Sequence, residues 1–109
     1  MIRLNIKALT TNRLWRGRRF KTPQYEAYEM EVALSLPKLV IPQGKLVLSL
    51  VVGLSRKTAD LDNVVKPFVD ILQKKYDFND KMIYKMNLEK IDVKKREEFI
   101  SFKLDKLNV

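Results

Sequence analysis

Residues 45–54, KLVLSLVVGL, contain the longest apolar run of the chain. The concentration of valine and leucine predicts a strand at the centre of a sheet. The run is interrupted by Ser49 and is far too short to span a bilayer. Because ligand sites in α/β sheets form beyond the ends of such strands, the polar residues that follow this stretch are the first candidates for a site.

Alternation and capping signals predict the other elements. Ile2, Leu4 and Ile6 alternate with polar residues, as in a half-buried strand. Thr22 and Pro23 are typical of the N-cap and first residue of a helix. The predicted elements are a strand over 2–6, a loop over 8–21, a helix over 25–36, the strand 45–54, a helix over 62–76, and strands over 82–91 and 97–105.

The last two predicted strands follow each other closely. The charged residues between them, 93–96, predict a turn, so we expect a hairpin. Alternation along the first of these strands predicts that Met82, Tyr84, Met86 and Leu88 belong to the core. The order β-α-β-α-β-β favours an α/β (α+β) fold, with one mixed sheet of about four strands and two helices, as a single domain over residues 1–109.

The composition excludes several classes of chemistry. The chain has no cysteine and no histidine. This removes disulfides, thiolate zinc sites and every mechanism that uses a histidine base. An enzyme of this composition depends on carboxylates, lysines, tyrosines or a metal ion. Because the start of the chain contains no apolar segment of signal-peptide length, we expect a soluble cytoplasmic protein with no membrane partner.

The net charge of +9 is distributed unevenly. Residues 1–57 carry 11 Lys/Arg and 3 Asp/Glu, whereas residues 58–109 carry 11 and 10. A basic surface attracts polyanions, nucleic acid above all, although a solvated basic surface with no partner is the alternative. Trp15 and Phe20 are candidates for base stacking or for core contacts. The candidate phosphate-binding residues in the basic loop are Arg13, Arg16, Arg18, Arg19 and Lys21.

Residues 58–66, TADLDNVVK, place acidic groups in this basic chain. In extended backbone, Asp60 and Asp62 point to the same side. Asp62 is also a good N-cap for the next helix, and Pro67 is expected in or beside its first turn. On a helical wheel the apolar stripe comprises Leu61, Val64, Val65, Phe68, Ile71 and Leu72. A separate polar face comprises Asp62, Asn63, Lys66 and Asp70.

Two explanations fit this acidic cluster. Asp60 and Asp62 can hold Mg²⁺ beside DNA, with Lys66 stabilising charge on the phosphate. Alternatively, Asp62 only caps the helix and Asp60 is a solvated acid. Asp80 lies in the turn after the helix, and the sequence does not place it beside the other two. Glu89 and Asp92 are further acids that a metal site can recruit, although a solvated strand face explains them equally.

The sequence DLDNVVKPFVDIL, residues 60–72, followed by NDKMI, residues 79–83, resembles the RusA family of Holliday junction resolvases. The family pattern is DxDNxxKxxxDxL, then a pair of aspartates before an apolar strand. Residues 11–16, TNRLWR, are similar to the family's segment of asparagine and an aromatic residue before a basic loop. The resemblance therefore covers nearly the whole chain, and its central motif is the more specific part.

The resemblance implies a Mg²⁺-dependent (or Mn²⁺-dependent) endodeoxyribonuclease, often encoded by phages or prophages, that acts in DNA recombination and repair. Such an enzyme works as a homodimer and cuts four-way junctions by paired symmetric nicks. The implied metal ligands are Asp60, Asp62 and Asp80, and the implied catalytic lysine is Lys66. The implied supporting residues are Asn63, Asp70 and Asn79, and Asn12 joins the DNA-binding residues.

One position departs from the family pattern, because Asn79 replaces the first aspartate of the pair. An asparagine still offers a neutral oxygen, but metal affinity would fall if that position supplies a ligand. Two other hypotheses therefore stay open: a degenerate resolvase that binds junctions without cutting them, and a non-catalytic nucleic-acid-binding protein.

Overall fold

The computed structural model describes residues 1–10, 15–16 and 20–108, with the backbone alone at 15–16 and 20–21. Two helices and a four-stranded mixed sheet form the fold, so the predicted class and the order β-α-β-α-β-β are confirmed. The elements are β1 (Ile2–Leu4), β2 (Trp15–Arg16), β3 (Phe20–Lys21), α1 (Pro23–Ser35), β4 (Leu46–Leu54), α2 (Asp62–Tyr76), a 3₁₀ turn (Asp80–Met82), β5 (Ile83–Asp92) and β6 (Phe99–Lys106).

The apolar strand β4 lies inside the sheet, whose order is β1-β6-β4-β5. It pairs antiparallel with β6 and parallel with β5, so the prediction of a central strand is confirmed. Leu48, Leu50 and Val52 are at most 1% exposed under the two helices, whereas Val47 and Val51 on the other face are half-buried. Burial by neighbours on both edges and by the helix layer explains why nearly every position of β4 is apolar.

The predicted hairpin between the last two strands is wrong, because β5 and β6 lie on opposite sides of β4. Helix α2 carries the chain back from the end of β4 to the start of the parallel strand β5, as such a pairing requires. After β5 the chain crosses the end of β4, where the Val93 N–H donates to the Leu54 carbonyl at 3.1 Å. Alternation shows that a segment is a strand, but it does not show which strand is its neighbour.

The predicted start is confirmed for the first helix and is wrong in detail for the second. The Thr22 hydroxyl accepts a hydrogen bond from the Tyr25 N–H at 3.1 Å, so the predicted cap of α1 is confirmed. At α2 the cap position is Leu61, already helical, and Asp62 makes no capping bond. Because α2 begins one residue earlier than expected, Asp62 lies inside the helix and its carboxylate does not cap it. Pro67 is the sixth residue of α2, just beyond its first turn.

The core forms between the helices and one face of the sheet. The predicted apolar stripe of α2 is present, with Val64, Phe68, Ile71 and Leu72 buried. The Phe68 ring meets the Phe102 ring edge-on, with centroids 5.5 Å apart. This stripe fixes α2 to the sheet and thereby fixes the direction of its polar face.

Two further predictions are corrected. Tyr84, Met86 and Leu88 are exposed rather than core, because β5 is an edge strand that the helix layer leaves uncovered. The segment predicted as a loop contains a short ribbon, in which β2 pairs antiparallel with β3. Neither α1 nor α2 is long and apolar enough to cross a membrane, and no other α-helix occurs among the described residues.

Candidate active site

The acidic loop, residues 55–61, follows the buried strand β4 and leads into α2. Asp60 and Asp62 are both exposed. Neither carboxylate hydrogen-bonds or ion-pairs with another residue in the part of the chain that the structure describes. Two unneutralised carboxylates therefore lie two positions apart at the carboxyl end of a parallel strand pair, where ligands bind in α/β sheets.

Lys90 on β5 holds the acidic loop in place. Its ammonium donates to the Lys57 carbonyl at 2.6 Å and to the Ala59 carbonyl at 2.8 Å. The loop is closed further by the Ala59 N–H, which donates to the Arg56 carbonyl, and by the Asn63 N–H, which donates to the Asp60 carbonyl. Asp60 is therefore attached to the sheet through its neighbours, and its carboxylate stays available.

Replacing Lys90 with methionine is expected to loosen this loop. The apolar stem remains, but two hydrogen bonds from a charged donor are lost, which corresponds to about 1–2 kcal/mol of unfolding free energy. Urea unfolding measures this loss, and amide hydrogen exchange should become faster at residues 57–63. Lys95→Met, in the exposed turn after β5, is the matched control. Equal exchange at 57–63 in both variants would contradict the role assigned to Lys90.

Lys66 and Asp70 form an ion pair one turn apart on α2. The Lys66 ammonium is 2.9 Å from the Asp70 carboxylate. This hydrogen bond, followed by the charge of Asp70 itself and with a smaller part from Asp80, raises the pKa of Lys66 above its usual value. Lys66 is consequently an ammonium at neutral pH, which makes it a positive charge on this face of α2 and a poor general base.

A hydrogen-bonded chain continues from this pair towards Asp80. The Gln73 amide donates to Asp70 at 3.3 Å, and its oxygen accepts from the Asp80 N–H at 2.7 Å. Gln73 thus fixes the turn after α2 to the polar face of the helix. The carboxylate of Asp80 is exposed beside it, with no hydrogen-bond or ion-pair partner in the described part of the chain.

Asp80 lies at the opposite end of α2 from Asp60 and Asp62. Because β4 and β5 are parallel, the residues that precede β5 lie near the start of β4. The acidic loop lies near the end of β4. Gln73, which contacts Asp80, is 11 positions after Asp62, or roughly 16 Å along the helix axis. No group of three acidic residues able to hold a metal ion occurs within the described residues.

Asn79 has a structural role in this turn. Its side-chain oxygen accepts from the Lys81 N–H at 3.0 Å and caps the 3₁₀ turn. That oxygen is therefore engaged within the turn. An aspartate at this position would accept the same hydrogen bond, so the cap does not explain why asparagine is present.

No protein-family model matches this chain, and a comparison with curated proteins found no match.

Most of the predicted DNA-binding residues lie outside the described residues. This applies to Asn12, Arg13, Arg18 and Arg19, and for Arg16 and Lys21 only the backbone is described. Their role stays a prediction.

Three residues near the site were not anticipated from the sequence. Arg56 and Lys57 are exposed on the acidic loop, just before Asp60, and their signal was the basic pair next to the acidic one. Lys90 had no such signal, because it is distant along the chain and is brought close only by the pairing of β5 with β4.

Proposed function

We propose that this protein is a Mg²⁺-dependent, structure-selective endodeoxyribonuclease that resolves four-way DNA junctions, as its resemblance to the RusA family implies. The observation that carries the proposal is the pair of exposed, unneutralised carboxylates of Asp60 and Asp62, on a loop tethered by Lys90. A solvated acid does not need such a tether. A ligand group does, because a metal ion demands fixed positions of its oxygen donors.

The charge of the chain supports DNA as the substrate. With a net charge of +9, the protein attracts a polyanion, and Arg56 and Lys57 are exposed beside the acidic pair. Two carboxylates alone would repel the phosphate that they approach. A divalent cation held by Asp60 and Asp62 would neutralise their two negative charges, so the acidic pair and the basic surface would become compatible.

The donor set fits Mg²⁺. Asp60 and Asp62 would supply the hard oxygen ligands that this ion prefers, and the remaining positions suit water and phosphate oxygens. When bound, Mg²⁺ would supply Lewis-acid stabilisation of the charge that develops during phosphodiester hydrolysis. Lys66, held as an ammonium by Asp70, would add a second positive charge on the same side of α2.

A homodimer is part of this proposal. Oxygen ligands of one Mg²⁺ lie about 2.1 Å from the ion, whereas Asp80 lies at the opposite end of α2 from Asp60 and Asp62 of its own chain. In this proposal, Asp80 of the partner subunit therefore joins Asp60 and Asp62 at one ion. A two-fold symmetric dimer also matches a four-way junction that is nicked at two symmetric positions.

The test is cleavage of a synthetic mobile four-way junction. The purified protein should introduce paired symmetric nicks in Mg²⁺, should not cut a linear duplex of the same sequence, and should be inactive in a chelator. Nicking of both substrates at equal rates would contradict the structure selectivity.

The separation of Asp80 from Asp60 and Asp62 favours a second candidate function. In this alternative, the protein binds junctions or other nucleic acids without cutting them. Neither the charge nor the basic loop distinguishes it from a nuclease. Tight binding of the junction without nicks at any Mg²⁺ or Mn²⁺ concentration would support this alternative and would reject the enzyme.

A further inference from the structure

The outer edge of β5 is long and carries exposed apolar side chains. No other strand of the described chain pairs with this edge, since β5 joins the sheet only through β4. Tyr84, Met86 and Leu88 are 60%, 41% and 40% exposed. An open edge of this kind offers its N–H and C=O groups to any other strand, and proteins normally cover or shorten it. The edge is therefore able to accept a further strand.

The sequence of this edge is complementary to itself. If two copies of β5 run antiparallel about a two-fold axis at Asn87, Met86 lies opposite the partner's Leu88. In the same register Lys85 lies opposite the partner's Glu89. Symmetry repeats each pair, giving two apolar and two oppositely charged contacts, and directly opposed side chains of these kinds stabilise a sheet. In the described part of the chain, Lys85 and Glu89 form no ion pair, so both are available for this contact.

Neighbouring registers lack this complementarity. With the axis at Leu88, Met86 faces the partner's Lys90 and Asn87 faces the partner's Glu89. With the axis at Met86, Lys85 faces an asparagine and Tyr84 faces a leucine, so no charge is paired. Of these three registers, only the one with its axis at Asn87 matches both the apolar and the charged positions.

We infer that the outer edge of β5 is the interface with a second copy of this chain, with the two-fold axis at Asn87. The inference deepens the proposed function, on which it rests for the expectation of a homodimer. Two four-stranded sheets then join into one, and both helix layers lie on the same face. The start of β5, with Asp80, is directed towards the end of the partner's sheet that carries its acidic loop.

Charge reversal tests the register without DNA or metal. Glu89→Lys places a second ammonium opposite the partner's Lys85, twice in each dimer, and should raise the dimer dissociation constant by about tenfold or more. Lys85→Glu should do the same. The double variant Lys85→Glu/Glu89→Lys restores both pairs and should return the constant to near that of the unchanged protein. Analytical ultracentrifugation measures all of these.

Glu97→Lys is the matched control, since Glu97 is exposed on the segment beyond β5 and undergoes the same charge change. It should leave the dissociation constant unchanged. A monomeric unchanged protein, equal effects of Glu89→Lys and Glu97→Lys, or failure of the double variant to recover would overturn the inference. Because ultracentrifugation is independent of cleavage, a dimer that does not cut DNA would reject the nuclease and keep the interface.

The absence of cysteine permits a direct test of the axis. Asn87→Cys would place two thiols opposite each other, with Cα atoms about 4.5–5.5 Å apart, within disulfide range. Mild oxidation should convert this variant to a covalent dimer much faster than Lys95→Cys, which lies in the turn after β5. Equal rates for the two variants would overturn the placement of the axis.

Discussion

Asp62→Asn should lower junction cleavage by at least about 100-fold while leaving the fold and junction binding intact, because it removes one charged ligand of the proposed Mg²⁺. Asp62 makes no capping bond and its side chain is exposed, so the free energy of unfolding should change by less than about 0.5 kcal/mol. Single-turnover cleavage, gel-shift binding and urea unfolding of the same preparation measure the three quantities.

Asp105→Asn serves as the control, because it is the same substitution at a position away from the acidic loop. Asp105 lies on β6 in an exposed ion pair with Lys103. It should cleave like the unchanged protein. Mg²⁺ should also raise the thermal midpoint of the unchanged protein and of the control. The midpoint of Asp62→Asn should rise much less. Undiminished nicking by Asp62→Asn would show that cleavage does not require the Asp62 carboxylate.

Phe68→Ala should lower the free energy of unfolding by about 3–5 kcal/mol, the usual effect of deleting a large buried aromatic side chain. Phe68 is fully buried, and its ring packs edge-on against Phe102 of β6, so the deletion leaves a cavity between α2 and the sheet. A single domain is stable by only about 5–15 kcal/mol, so this loss is a large part of the total. Urea unfolding followed by circular dichroism measures it.

Leu34→Ala is the comparison for Phe68→Ala, because Leu34 belongs to α1 but is 81% exposed. It should change the unfolding free energy by less than about 0.5 kcal/mol. Similar losses in the two variants would show that α2 is not anchored to the sheet through Phe68. Since the polar face of α2 depends on that anchor, Phe68→Ala should also lose cleavage on mild warming, before the unchanged protein does.

The parts of the fold that the sequence predicted are those where burial dictates residue type. Strand β4 is apolar at almost every position because it is covered by neighbours and helices, and α2 shows its stripe because one face packs on the sheet. Strand partners were not predictable in this way. The turn after β5 has the charged composition of a hairpin, yet it crosses the end of β4, as the strand order and the backbone contact of Val93 with Leu54 show.

The site shows the same division. The motif singled out Asp60, Asp62 and the polar face of α2 as candidates, since these residues are close in sequence. Lys90 was missed because its contact depends on strand register, which local patterns do not specify. The core assignment of Met86 and Leu88 failed for a related reason: alternation marks a strand face, but whether a layer covers that face depends on the strand's place in the sheet.

The crossing of the chain over the end of β4 has a consequence for folding kinetics. Val52 pairs with Lys90 and Ile100, which follow it by roughly 40 and 50 residues. Loop-closure entropy therefore opposes the pairing until much of the chain is ordered. Until then the most apolar segment of the protein is unprotected and prone to associate with other chains. Refolding yield should therefore fall as protein concentration rises, even though the folded sheet keeps β4 covered.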